Sequence, residues 1–207
     1  GFALYLQVGG GFLDRGETIT VTFGDRSKGS PGWRMQTFCE DTFEFKTLAD
    51  PIATFEFKEI STSPVLKIVP GTPVKAVCTA PSFVKTDEPF YYHLKLEDTW
   101  GNPVSKPKRI RHKGFKKPGV YTLRKKDAKT RLSAQSNPVT VHETLPELKP
   151  FWADLHAQSE ETIGTNTIDQ YYEFARDKAL LDACAHQGND FQITDAFWKK
   201  INSASRT

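Results

Sequence analysis

The chain has 207 residues, 38% hydrophobic and 26% charged, a balance typical of a soluble fold and long enough for one large core or two small ones. No apolar run approaches the roughly 20 residues a membrane helix needs, and residues 1–11 lack the charged head and small-residue cleavage site of a secretory leader. The formal charge of +3 hides an asymmetry: residues 106–131 carry twelve Lys or Arg against one acid, Asp127, leaving 16 basic against 24 acidic residues elsewhere.

The first sixty residues read as strands. Residues 17–23 (ETITVTF) alternate polar and apolar, the period of a half-buried strand, and residues 42–45 and 54–57 do so over shorter spans. The turn chemistry between them comes from Gly24-Asp25 and from residues 27–32 (SKGSPG). The chain opens inside another strand-like run, 3–8, and its only methionine is Met35, so the expectation is a partial N-terminal β-sandwich over 1–60 whose earlier strands are missing or processed away.

A second β-unit is expected over 61–145. Its candidate strands are 65–69, 74–78, 90–96, 119–123 and 137–141, parted by Pro70-Gly71, residues 86–89 and residues 100–103 (WGNP). Short strands with regularly spaced turn signals predict an immunoglobulin-like sandwich, although the Cys…Trp…Cys spacing of antibody domains is lacking. The basic run lies here. One meaning is an electropositive patch for nucleic acid, anionic lipid or a phosphorylated substrate, with Phe115 and Tyr121 stacking on bases. The favoured meaning is a solvated hairpin whose charges discourage edge-to-edge pairing. Cys39, Cys78 and Cys184 form no CxxC pair, and an odd count favours reduced thiols and a cytoplasmic setting, with a Cys39–Cys78 bridge as the one open pairing.

After residues 146–150 the pattern changes. Residues 151–156 (FWADLH) predict a short strand. Residues 167–180 predict a helix, with Thr167 as N-cap and Gln170 as its capping-box partner. Residues 181–185 predict a second strand ending at His186, and another helix is expected to begin near Thr194. Strand, helix, strand is a βαβ unit.

Side chains two apart on a strand share a face, so Asp154 and His156 point the same way, with Gln158 following if the strand persists. Parallel neighbours would bring His156 and His186 to the carboxyl end of the sheet, where α/β barrels keep their active sites. The loops that follow add Glu160, Glu161 and Asp190. Imidazole with carboxylate suits zinc, iron or manganese and metal-assisted hydrolysis. The plainer alternative is that both histidines are satisfied polar residues at strand ends, and that Asp190 caps a turn or the helix near Thr194.

The strings FWADLHAQSEETIGTN and ARDKALLDACAHQGNDFQITDAFW resemble the opening of PHP-type (polymerase and histidinol phosphatase) proteins. More narrowly, they and the preceding segments resemble a family of unassigned function that carries a PHP-like barrel behind β-sandwich domains. The resemblance implies a fold that is mainly β, tandem sandwiches followed by the first βαβ of an incomplete α/β barrel over 146–207. It also implies a parent enzyme that hydrolyses phosphoesters with a divalent metal. His156 matches the first histidine of the family's His-x-His motif, and Gln158 stands where the second normally sits. Glu160 or Glu161 falls near the acidic position of the first loop, and His186 near the histidine closing the second strand, with AHQGND in place of the usual Thr-Asp-His. The implied set is Asp154, His156, Gln158 and His186 on a Zn, Mn or Fe ion and Glu161 as the catalytic carboxylate. The implied partners are a small or phosphorylated substrate and the remainder of the barrel, from the same polypeptide or another chain. Taken alone, the 207 residues are expected to be inactive. The rival expectation is a non-catalytic sandwich module that binds an anionic partner through residues 106–131.

Overall fold

A computed structural model describes residues 3–206. The chain divides into two compact units, one ending at Gln36 and one beginning at Thr37. In the first unit, 3–8 and 17–23 form no strand, contrary to their alternation. A strand needs a neighbour to take its N–H and C=O groups, and here Ile19, Val21 and Phe23 stay exposed. Local turns hold the segment instead: Asp14 and Glu17 exchange hydrogen bonds of 2.8 and 3.0 Å, Asp25 caps Ser27, and Phe23 meets Trp33 edge to face.

The second unit opens with β1 (Glu40–Glu44), β2 (Leu48–Ala49), β3 (Lys58–Glu59) and β4 (Val65–Ile68), where β1 pairs with β4 and β2 with β3, both antiparallel. This is one long hairpin, and the expected 60/61 domain boundary falls inside it. Its tip occupies 54–57, where a strand was expected. Asp50 carboxylate oxygens accept from the Ile52 and Phe55 N–H groups and the Thr54 hydroxyl, which wraps the chain into a turn with Ala53 and Phe55 at positive φ.

Next come β5 (Lys75–Thr79), β6 (Phe83–Lys85), β7 (Phe90–Glu97), β8 (Lys108–His112), β9 (Gly119–Tyr121), β10 (Arg124–Lys126), β11 (Ser133–Gln135) and β12 (Val139–His142). One antiparallel sheet has the order β5-β7-β8; another has the order β6-β12-β9, with β12 parallel to β6 and antiparallel to β9; β10 and β11 form a hairpin. The period-2 rule is clearest in β7, where Phe90, Tyr92 and Leu94 are buried between more exposed neighbours. With Cys78 on β5 they share a single hydrophobic core with Val84, Val139 and Val141 of the other sheet. Cys39, Cys78 and Cys184 are all free thiols, so the Cys39–Cys78 bridge does not form.

The last part contains β13 (Ala153–Ala157), α1 (Ile168–Phe174), a π-helical turn over Ala175–Ala179, β14 (Ala183–His186) and α2 (Asp195–Ala204). The Thr167–Gln170 capping box opens α1, and Leu180 in the left-handed region at φ 65° ends the π turn. Thr194 caps α2 by accepting from the Phe197 N–H. Strands β13 and β14 pair in parallel. Ile168, Phe197 and Ala204 make a second small core, flanked by Tyr171, Tyr172, Ile193 and Ile201. The architecture is thus mostly β, in small sheets, with two C-terminal helices. Among the described residues, no helix is long and apolar enough to cross a membrane.

Candidate functional site

The parallel pair β13–β14 is the frame on which the expected site residues stand. Asp154 lies opposite Cys184, but Ala157 lies opposite His186, because the register slips between them. An unbroken ladder would have set His156 against His186. With the slip, each ring takes a partner of its own. His156 is exposed, and its Nδ1 lies 2.6 Å from Gln187 Oε1. His186 is half-buried, with Nε2 3.0 Å from the Ser159 hydroxyl. Asp154 is also exposed and accepts from the His156 N–H at 3.0 Å.

Beyond β13 the chain folds into a tight loop. Ser159 accepts from the Gly164 and Thr162 N–H groups and is itself 0% exposed. Gly164 is required there, since a Cβ would sit 2.4 Å from the Gln158 carbonyl oxygen. The side-chain amide of Gln158 reaches Asn189 at 3.4 Å, on the loop after β14. Glu161 is pinned from a distant element by Lys200 of α2, Nζ to Oε1 at 2.7 Å. Of the other loop acids, Glu160 accepts from the Thr42 hydroxyl at 3.5 Å on β1, and Asp190 caps its own short turn by accepting from the Phe191 N–H at 2.8 Å.

His186 packs edge-on to Phe197, with ring centroids 5.5 Å apart, and more distantly to Tyr171. Gly188 passes close to the ring: a Cβ there would lie 2.9 Å from His186 Cε1 and 2.7 Å from Ile193 Cδ1. Burial pushes the His186 pKa down, against the opposing pull of Glu161. Burial works against ionisation of Glu161 too, but the hydrogen bonds it receives, chiefly from Lys200 and then from Ser159, hold its carboxyl below the ordinary value.

Three buried polar atoms of this neighbourhood have no hydrogen-bond partner: Gln158 Oε1, Glu161 Oε2 and His186 Nδ1. Buried polar atoms are nearly always satisfied; these three come from the loop after β13 and from the end of β14. Among the described residues, no three His, Cys, Asp or Glu side chains group to hold a metal. The atoms offered here belong to only two residues of those types, with an amide as the third.

Ser159, Gln187 and Lys200 were not foreseen as parts of the site. Ser159 directly follows Gln158 in the DLHAQS string and was within reach of a sequence argument; Lys200, 39 positions from Glu161, carried no such signal. No protein-family model, curated protein or solved structure matches the chain.

Proposed function

We propose that this chain carries the front of a metal-dependent hydrolase of PHP type, acting on a phosphoester, behind immunoglobulin-like β-sandwich material. The observation that carries the reading is the set of three unpartnered buried atoms, Gln158 Oε1, Glu161 Oε2 and His186 Nδ1, beside the carboxyl ends of two parallel strands. A nitrogen, a carboxylate oxygen and an amide oxygen match zinc, manganese or iron in kind. They fall short in number, so further ligands would come from another part of a longer polypeptide or from another chain.

On this reading His186, Glu161 and Gln158 would hold the ion, with His156 and Asp154 at the exposed lip. A bound divalent ion supplies Lewis-acid polarisation of the phosphoryl group and lowers the pKa of water. The protein's own part is orientation: Lys200 fixes Glu161, Ser159 fixes His186, and Phe197 packs edge-on to the ring. Two sheets around one core support the sandwich assignment. The parallel strands support an opening barrel unit: such strands are normally covered on both faces, whereas Leu155 on β13 is 63% exposed and Trp152 beside it 62%.

Elemental analysis of the intact protein tests the proposal. Near-stoichiometric zinc, manganese or iron is expected, lowered in His186→Ala and Glu161→Gln. A protein that stays metal-free when offered these ions, while folded, would overturn it.

A further inference from the structure

We propose that the β10–β11 hairpin binds the phosphate backbone of duplex nucleic acid, without regard to base sequence, through Arg124, Lys125, Lys126, Lys129 and Arg131. This surface shares no residue with the candidate metal site, and it stands whether or not that site takes an ion.

Residues 122–137 hold those five cations and a single acid, Asp127. All five cations are exposed, whereas Asp127 is 1% exposed and pairs with Lys108 of β8. The one negative charge is thus answered from another strand. Among the described residues, none of the five forms an ion pair. Elsewhere in the basic run charge is already engaged: Lys106 meets Asp177, Lys116 meets Asp87, and Arg109 covers the Tyr91 ring. Uncompensated charge gathered on one ribbon attracts a polyanion.

The hairpin holds its charges in a fixed frame. Asp127 Oδ2 accepts from the Lys129 and Thr130 N–H groups at 3.1 and 2.9 Å and from the Thr130 hydroxyl at 3.0 Å. The Asp127 N–H reaches the Leu132 carbonyl at 2.8 Å, and the Arg131 N–H returns to the Asp127 carbonyl at 3.0 Å. At the open end, Ser136 Oγ accepts from the Leu123 N–H at 2.9 Å, and the Ser136 N–H donates to the Leu123 carbonyl at 2.8 Å. A backbone already ordered loses little entropy on binding. The register sets Arg124 opposite Gln135 and Lys126 opposite Ser133. These four share one face of the ribbon, with the two cations about 7 Å apart. Arg124 gives Nε–H to Gln135 at 3.3 Å, which leaves the end of its fork for a phosphate. The two strands line an open depression of about 470 Å³.

Other anionic partners fit less well. Single strands are held largely by stacking on aromatic rings, and residues 122–137 contain none, while Phe115 and Tyr121 stack on each other at 4.2 Å. Lipid surfaces gain from apolar side chains set beside the charges, and no large hydrophobic residue is exposed between Val120 and Leu148. A duplex needs neither. It presents one negative charge per roughly 1.7 Å of axis, and its major groove admits a two-stranded ribbon such as β10–β11.

Fluorescence anisotropy of a short labelled DNA duplex of arbitrary sequence, titrated with the full chain, tests the proposal. Binding is expected at about 50 mM salt, and log affinity should fall against log salt with a slope of about −4.5 for five contacts. Lys125→Gln, Lys126→Gln and Lys129→Gln together should weaken binding at least about tenfold at that salt and leave a slope of about −1.8. Lys85→Gln, Lys149→Gln and Lys199→Gln together remove the same charge from exposed positions elsewhere and should change affinity less than about threefold. Circular dichroism checks that both chains fold, and the single variant Lys126→Gln should by itself take about 0.9 from the slope. No binding at low salt overturns the proposal, as does an affinity indifferent to salt or an equal loss in the two triple variants. Binding to phosphatidylserine vesicles with none to the duplex also overturns it and assigns the hairpin to a lipid surface.

Discussion

Asp98 is 4% exposed, and its carboxylate accepts from the N–H groups of Gly71, Trp100 and Asn102 and from the Asn102 side chain. Asn102 in turn donates to the Thr37 carbonyl and accepts from the Cys39 N–H, so the WGNP turn is a tie between segments. Burial by itself would raise the Asp98 pKa, but the four donors outweigh it and bring the pKa down to about 2 from 3.8. A carboxyl depressed on folding contributes stability that is fully present above its unfolded value and is lost as pH falls through the folded one. Acid titration followed by circular dichroism should therefore show stability falling between pH 3.8 and about 2, and Asp98→Ala should remove that part of the dependence and lower the melting temperature at neutral pH. Gly188→Ala is the second test at this scale: the new methyl meets His186 Cε1 at 2.9 Å and should displace the ring, detectable as a shift of its nitrogen resonances.

At the scale of elements, β7 anchors the larger core. Leu94 is 3% exposed at its centre, and Leu94→Ala should cost about 2–5 kcal/mol in urea unfolding. The Thr167 cap of α1 is exposed to a smaller penalty, about 1 kcal/mol for Thr167→Ala. The basic run maps largely onto exposed edges: β8 is the outer strand of its sheet, and β10 lies in a two-stranded one. Lysines and arginines on such strands keep unpaired backbone groups from adding a foreign strand. Part of the run is structural: Lys108 pairs with buried Asp127, Lys106 with Asp177, and Lys116 with Asp87. Phe115 and Tyr121 stack on each other at 4.2 Å and pack against the core, so they are not the free base-stacking platforms their interleaving suggested. Arg109 lies 3.6 Å over the Tyr91 ring on β7. Replacing Arg109 and Arg111 together with threonine should raise self-association, read by light scattering; a variant that stays as monodisperse as the wild type would speak against the edge-guarding role.

For the whole molecule, the division after Gln36 has a measurable consequence. The described part of the first unit has no strand ladder, and its residues are exposed almost throughout. Limited trypsin digestion should therefore cut first at Arg15, Arg26, Lys28 or Arg34 and leave a resistant product that begins close to Thr37. Early cleavage inside β5–β7 instead would contradict the packing around Leu94 and Val139.

How much could be read in advance depended on the range of the forces involved. Strands β1, β4, β5, β7, β9, β12, β13 and β14, the Thr167 capping box and a helix beginning near Thr194 followed from local periodicity and end chemistry, although that helix is capped by Thr194 itself and not by Asp190. Strands β6, β8, β10 and β11 did not, because they are short or crowded with charge, and only their neighbours make them strands. The alternation of 17–23 failed for the converse reason: among the described residues it joins no sheet. At the candidate site, the DLHAQS and HQGND strings marked Asp154, His156, Gln158 and His186, and the loop after the first of them marked Glu161. Tertiary structure alone decided that a register slip moves Ala157 opposite His186, that Ser159 holds that ring, and that Lys200 reaches Glu161. By itself the sequence determined which groups have donor or acceptor chemistry and which segments prefer strand or helix, since those preferences lie within a few residues. Partnership and burial were settled only by the folded chain, because they depend on contacts between segments far apart along it.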